Sequence, residues 1–125
     1  VGWQVPETEG VYWFLRIFVA TEKLRVGKEQ FCKAVEAEGV PVNPSYRHIP
    51  AEAPWHRGRV GLGNSGFPWS AEDYKGAGTD VCDLVGAIAA TDTHFNIHFH
   101  ERYGDREAED IVSALLKVAN AYRRV

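Results

Sequence analysis

Three histidines alternate with apolar residues in the segment Thr93 to His100, whose sequence is THFNIHFH. Side chains two residues apart on a β-strand point to the same face of the sheet. His94, His98 and His100 are therefore predicted to share one face with Asn96, and the apolar side chains between them point to the other face. The segment is predicted to be a strand with one polar and one apolar face.

Imidazole groups spaced along one strand face are ligands that suit zinc or nickel. The alternative is an ordinary polar strand face that packs against another domain. Glu101 and Asp92 are the nearest carboxylates in the sequence, and neither is an obvious partner to orient the imidazoles, which favours the second interpretation. We therefore expect no metal site, and His94, His98 and His100 are the candidate ligands if one exists.

A glycine-rich segment, GLGNSG, has the G-x-G-x-x-G spacing of dinucleotide-binding loops at Gly61, Gly63 and Gly66. That spacing holds a pyrophosphate only where a strand leads into the loop and a helix begins directly behind it. Phe67 and Pro68 follow the last glycine, and a helix does not begin in that way. The sequence therefore favours a flexible loop without a bound cofactor.

The cysteines and tryptophans favour packing roles over chemical ones. Cys32 and Cys82 lie far apart, which indicates two free, buried thiols in a reducing compartment rather than a disulfide. Trp13 is predicted to lie in the core. Trp55 and Trp69 fall in a long irregular segment, where packing in a core or interface is favoured over ligand contact. No serine has the sequence context of a nucleophile elbow, so no Ser-His-Asp set is predicted.

Length and charge exclude several classes of function. The 125 residues fit a single domain, residues 1–125, and 45% hydrophobic with 25% charged residues is typical of a globular protein. The net charge of −3 comes without a basic stripe, so no nucleic-acid partner is expected. The longest apolar run, Val11 to Ala20, is interrupted by Arg16 and is too short to span a bilayer. We expect no membrane partner and a cytoplasmic location.

Periodicity divides the rest of the chain into elements that must position these residues. The last helix has an apolar stripe that must lie on a sheet, formed by Ala108, Ile111, Val112, Leu115, Ala119 and Tyr122. The order of elements implies an α/β (α+β) two-layer sandwich, with a small, mainly antiparallel sheet and helices on one face. We predict strands at Tyr12 to Val19, Val40 to Val42 and Thr93 to His100, helices at Lys28 to Glu38, Asp80 to Ala90 and Asp105 to Arg124, and a long loop from Ser45 to Gly78 with a short helix starting at Ser70.

Three segments resemble the small domain of the DegT/StrS-type sugar aminotransferases. The final segment, FHERYGDREAEDIVSALLKVANAY, resembles their C-terminal signature, in which a strand ending in Pro-apolar-His-Glu meets an acidic helix start. The segment EGVPVNPSY resembles the family's EGIPV and the turn behind it, and YWFLRIFV resembles the strand that opens the small domain. The matching residues are His100, Glu101, Tyr103, Glu107, Asp110 and Ile111 in the first segment and Glu38, Gly39, Val40, Pro41, Val42 and Tyr46 in the second.

The chain departs from the family pattern at three positions. Asp83 replaces the proline that follows a cysteine in many members, where this chain has Cys82. His98 replaces the proline of the family strand, and Gly104 replaces the usual Ser or Thr helix cap. These departures are typical of a divergent or decayed copy.

The resemblance implies a fold type I enzyme that uses pyridoxal phosphate to move an amino group between an amino acid and a keto-sugar or cyclitol. In such enzymes the Schiff-base lysine, the aspartate on the pyridine nitrogen and most phosphate ligands lie in a large N-terminal domain, which matches no part of this chain. The resemblance thus implies a C-terminal small domain without catalytic or cofactor-binding residues, inactive by itself, that helps to close the substrate cleft. Its candidate cleft residues are Asn43, Tyr46 and His100.

The partners implied are the large domain of the same enzyme and a second subunit of a homo-oligomer. Two other functions stay open from the sequence. One is a free-standing binding or interaction module descended from such a domain, and the other is a small metal-binding protein that uses the histidine face.

Overall fold

The computed structural model describes residues 5–61, 63, 65–76 and 82–124. The chain forms two compact units. The first, called here the sheet unit, comprises Val1–Tyr46 and Ala90–Val125, and the second, the loop unit, comprises Arg47–Ala89.

An antiparallel sheet of three strands forms the centre of the sheet unit. Strands β1 (Phe14–Phe18) and β2 (Val42–Asn43) both pair with β3 (His94–His98), so that the order is β1-β3-β2. Ile97 of β3 lies opposite Leu15 on one side and Val42 on the other. Since all of these residues are apolar, the register places an apolar row across one face of the sheet.

Two helices cover that apolar face, namely α1 (Lys28–Ala37) and α4 (Asp105–Tyr122). The rings of Phe31 in α1 and Phe95 in β3 lie with their centroids 6.1 Å apart. The hydrophobic core consists of Val19, Leu24, Phe31, Cys32, Val35, Val40, Phe95, Ile97, Ala114 and Val118. The predicted fold class, a small antiparallel sheet with helices on one face, is confirmed.

Local signals in the sequence explain where α1 ends and where α4 begins. Gly39 follows α1 with φ of +92°, a left-handed conformation that glycine adopts without strain, and it ends the helix there. At the start of α4 the backbone N–H of Gly104 donates to the Glu107 carboxylate at 2.8 Å. That hydrogen bond lowers the pKa of Glu107. It also satisfies one of the N–H groups that a helix start leaves without a partner.

The inner face of α4 is rotated from the predicted stripe. Ala114 and Val118, which the prediction omitted, are its buried residues, whereas Val112 is 53% exposed. Four residues of the predicted stripe are partly buried against the core, namely Ile111, Leu115, Ala119 and Tyr122, so the observed face overlaps the predicted one. The buried face of α4 packs against α1.

The loop unit contains short elements and turns. A 3₁₀ turn at Pro50–Glu52 leads into helix α2 (Pro54–Arg57), and helix α3 (Val85–Asp92) begins near the end of the unit. Arg47 forms an ion pair with Glu52 at 2.7 Å, and the hydrogen bond from Arg47 lowers the pKa of that carboxyl. Three rings cluster with centroids 5.6–6.3 Å apart, those of Trp55, His56 and Trp69.

Several predicted local features are wrong. Trp13 is 79% exposed rather than buried. The strand β1 begins at Phe14, so the sheet does not include Trp13. Cys82 is exposed. Ser70 lies in a turn in which its hydroxyl donates to the carbonyl of Ser65, so no helix begins there. The helix predicted from Asp80 begins at Val85, and Asp80 and Val81 lie outside the described residues.

No helix within the described ranges is long and apolar enough to cross a membrane.

Candidate functional site

The face of the sheet opposite α1 and α4, called here the polar sheet face, concentrates the polar side chains of the strands. Phe95 and Ile97 are buried in the core, so the residues that alternate with them in β3 point to the other face. The side chains on the polar sheet face are Phe14, Arg16 and Phe18 of β1, Asn43 of β2, and His94, Asn96 and His98 of β3.

A row of three polar residues crosses the middle of this face. Asn96 lies opposite Arg16 of β1 on one side and opposite Asn43 of β2 on the other. Asn96 is only 2% exposed, and its amide nitrogen has no hydrogen-bond partner among the residues that the structure describes. The side-chain oxygen of Asn43 accepts the backbone N–H of Ser45 at 3.0 Å. An unpaired buried amide is unusual in a folded protein, which makes Asn96 the most informative residue of the face.

Aromatic rings flank this polar row on both sides. On one side Phe14 contacts His98 and Tyr46, with ring centroids 6.2 Å and 5.1 Å away. On the other side Phe18 contacts His94, with centroids 5.4 Å apart. The face therefore combines a central strip of hydrogen-bonding groups with two strips of rings.

Arg16 is the one cation of the polar row, and its guanidinium carbon lies 5.7 Å from the centroid of the Phe14 ring. An arginine above an aromatic ring is attracted by the negative face of that ring. Arg16 is exposed and forms no ion pair within the described part of the chain. Its five N–H donors are thus free to meet an anion.

Two of the three predicted cleft residues lie at this face. Asn43 is part of the polar row, and Tyr46 packs against Phe14. His100 lies beyond the end of β3, where its ring contacts Tyr103 and its Nδ1 accepts the backbone N–H of Arg102 at 3.2 Å. The structure therefore brings Asn43 and Tyr46 to the same sheet face and places His100 past the end of the strand.

The three histidines do not form one cluster. His94 and His98 share the polar sheet face as predicted, but the Nδ1 atom of His94 contacts the carbonyl oxygen of Ala90, which occupies one of its two ring nitrogens. Over the residues that the structure describes, no three His, Cys, Asp or Glu side chains lie close enough together to hold a metal ion.

Arg16 and Asn96 were not among the predicted site residues. In the sequence, Arg16 interrupts an apolar run and Asn96 belongs to the polar strand face, and neither feature by itself indicates a site. The signal that could have combined them is the register of β1 and β3, which sets them opposite each other across 80 positions of sequence. That pairing is a long-range property that alternation within either strand does not reveal.

The described glycines of the glycine-rich segment have conformations typical of turns. Gly63 and Gly66 have φ of +67° and +70°, and in the described residues 65–76 no helix follows them. A side chain at Gly61 would lie 1.9 Å from the carbonyl oxygen of Phe67, so the backbone approaches itself closely there. These glycines are explained by turn geometry, and the helix that a pyrophosphate would need does not follow.

The two thiols lie in different environments. Cys32 is buried in the core, and burial raises its pKa from 9.0 to about 11, so it stays protonated at neutral pH. Cys82 is exposed in the loop unit. A thiol such as Cys32 is a small hydrophobic side chain rather than a nucleophile.

An apolar groove of about 310 Å³ runs beside β1, which is an edge strand of the sheet. Phe18 is exposed at this groove, and so is Leu116 of α4. Its lining includes Ile17, Phe18, Leu24, Phe31, Leu115 and Leu116.

Comparisons with protein-family models, with curated proteins and with solved structures gave no match. The resemblance to the aminotransferase small domain therefore stands on the motif residues of this chain.

Proposed function

We propose that this chain is the non-catalytic small domain of a pyridoxal-phosphate-dependent sugar or cyclitol aminotransferase, and that its polar sheet face borders the substrate cleft. One observation supports the proposal most. Asn43 and Tyr46, which follow the EGVPV motif, lie on the sheet face opposite the helices, so α1 and α4 do not cover them. A small domain that closes over a substrate needs such a face.

The contacts of two of the five lysines, Lys28 and Lys117, support a non-catalytic role. The amino group of Lys28 donates to the carbonyl oxygen of Thr91 at 2.9 Å, and that of Lys117 forms an ion pair with Glu38 at 2.6 Å. A lysine that forms a Schiff base must lose its proton, and an ion pair with a carboxylate opposes that loss. Neither lysine fits the role. Pyridoxal phosphate stabilises a carbanion when it is bound, and in this proposal the large domain holds it.

The apolar groove beside β1 supports a role in which another domain or chain covers this part of the surface. Phe18 and Leu116 are exposed there, and contiguous apolar patches on soluble proteins commonly mark interfaces. In the aminotransferase proposal, the large domain or a second subunit covers this groove. The same observation favours the alternative function, a free-standing interaction module derived from such a domain.

The first experiment tests whether this chain holds the cofactor. The purified chain is mixed with pyridoxal phosphate and reduced with borohydride, and the adducts are located by peptide mass spectrometry. We expect weak labelling spread over the exposed lysines. A stoichiometric adduct on one lysine would contradict the non-catalytic assignment, and a Lys→Arg variant at that position would show whether the adduct is specific.

The second experiment separates the two functions by determining the coding sequence on both sides of this segment. The aminotransferase proposal expects an in-frame upstream region that encodes a lysine-bearing cofactor domain. A reading frame that ends close to this segment on both sides would favour the free-standing module.

A further inference from the structure

We propose that the polar row of Arg16, Asn96 and Asn43 is a binding site for a carboxylate group, with Arg16 and Asn96 as the donors. The inference rests on the sheet itself and does not depend on the aminotransferase proposal.

The buried amide nitrogen of Asn96 lacks an acceptor among the described residues. Asn96 as a whole is only 2% exposed. Burying a polar donor without a partner is unfavourable, and native proteins rarely retain one. A ligand oxygen at this position would supply the missing acceptor.

A positive charge, that of Arg16, lies beside this amide. Arg16 lies opposite Asn96 in the register, and its contact among the described residues is the face of the Phe14 ring. The planar guanidinium fork matches the two oxygens of a carboxylate better than any other side chain does. The row thus pairs a cation with a neutral donor, the combination that an anionic oxygen ligand requires.

The rest of the face favours a carboxylate over a phosphate. Asn43 already uses its side-chain oxygen to accept the Ser45 N–H, so its NH₂ group is the end that is left for an anion. The flanking rings of Phe14 and Phe18 form apolar borders. One cation and apolar borders suit a singly charged planar group better than a strongly hydrated dianion.

Access to the site requires a side chain to move, because the Asn96 nitrogen is covered in the structure. Arg16 is exposed, and the attraction of one ring holds it weakly. In the proposed complex the guanidinium turns from the Phe14 ring toward the ligand, so that Arg16 and Asn96 contact the same group.

The carboxylate has two sources with the same chemistry, a free small molecule or an Asp or Glu side chain of a second copy of the chain. Sodium acetate is the probe for the first source, titrated against sodium chloride at constant ionic strength. A dilution series of the protein without acetate is the probe for the second. In both arms the readout is the NMR signal of the Asn96 side-chain NH₂ group.

The variant that tests the site is Arg16→Gln, which changes an exposed residue and should leave the fold intact. The matched control is Arg106→Gln, which removes the same charge from an exposed position in the first turn of α4. Asn96→Leu removes the amide while keeping its volume, and the loss of an unpaired donor should not lower the melting temperature.

We expect acetate to shift the Asn96 signal saturably, with affinity at least about tenfold weaker in Arg16→Gln and unchanged in Arg106→Gln. A shift that follows protein concentration and that acetate reverses by competition would also support the site and assign the carboxylate to a second copy. No response in either arm, or equal responses in Arg16→Gln and the parent chain, would overturn the proposal and leave a buried water as the partner of Asn96.

Discussion

The sheet unit and the loop unit differ in what holds them together. Every buried hydrophobic side chain among the described residues lies in the sheet unit, and none lies in residues 47–89. The loop unit contains instead the ring cluster of Trp55, His56 and Trp69 and the ion pair of Arg47 with Glu52. Aromatic residues therefore contribute to a core in the sheet unit through Phe31 and Phe95 and form a surface cluster in the loop unit.

This difference indicates where stability resides. Burial of apolar surface is the main favourable contribution to folding, whereas exposed ion pairs contribute little. The sheet unit should therefore unfold cooperatively, and the loop unit should open locally at lower free energy. Matched substitutions in the two units can test this comparison.

The largest effect is expected from Val35→Asp, matched with Val60→Asp. Val35 is 0% exposed in α1 and Val60 is 53% exposed in the loop unit. A charge at the first position has no partner in the core and should cost about 3 kcal/mol or more of the free energy of unfolding. The same change at Val60 should stay within about 0.5 kcal/mol. Urea unfolding followed by circular dichroism measures both, and equal losses would refute the comparison.

The next largest contrast is in thiol reactivity at about pH 8. The raised pKa of Cys32, about 11, depletes its thiolate, so alkylation should be at least about 100-fold slower than at the exposed Cys82. Mass spectrometry of iodoacetamide-treated protein over time distinguishes the two sites. The contrast should disappear in denaturant, and fast labelling of Cys32 in the native protein would mean that the sheet unit opens readily.

A smaller effect is expected from Trp69→Ala, which removes one ring of the cluster. Aromatic pairs contribute about 0.5–1.5 kcal/mol beyond their buried area, so the loop unit should loosen without global unfolding. Amide hydrogen exchange should accelerate within residues 47–76 and remain unchanged in β3. Trp13→Ala is the control, because that exposed tryptophan is outside the sheet. Faster exchange throughout β3 would show that the two units unfold as one.

The smallest effects are expected from the two carboxylates whose pKa is lowered, Glu107 in the sheet unit and Glu52 in the loop unit. A lowered pKa stabilises the fold above the ordinary carboxyl pKa, and this contribution is lost as pH falls through the folded value. Glu107→Ala should lower the melting temperature slightly at neutral pH, since it removes a helix cap, and Glu52→Ala still less. Both effects should shrink as pH falls below the ordinary carboxyl pKa. If either variant still has a lowered melting temperature in acid, the carboxylate contributes through packing and not through its charge.

The sequence predicts the fold well where short-range patterns decide the structure. The alternation of THFNIHFH correctly predicts β3 and its faces, and Gly39 correctly ends α1. The prediction that Trp13 lies in the core is wrong, because the first residue of β1 is set by where its pairing with β3 begins. The predicted stripe of α4 is correct for Ile111, Leu115, Ala119 and Tyr122, but it includes the exposed Val112 and lacks the buried Ala114 and Val118.

The candidate site likewise contains residues that a local motif predicts and residues that only the folded structure brings together. The resemblance supplied Asn43 and Tyr46 through a local motif, and both lie at the polar sheet face. Arg16 and Asn96 meet through pairing between distant strands, and the lack of a partner for Asn96 is visible only in three dimensions. Motifs can therefore nominate residues, but the register decides which of them act together.

The position of Arg16 in an edge strand has a further consequence, for aggregation. The strand sequence FLRIF is apolar apart from this arginine, and one side of β1 has no neighbouring strand in the described sheet. Exposed apolar edges recruit other chains into extended sheets, and a single charge within such a segment is the usual protection. Arg16 is therefore expected to act as a gatekeeper against edge-to-edge association of β1, and Arg16→Lys is the variant that should retain this protection.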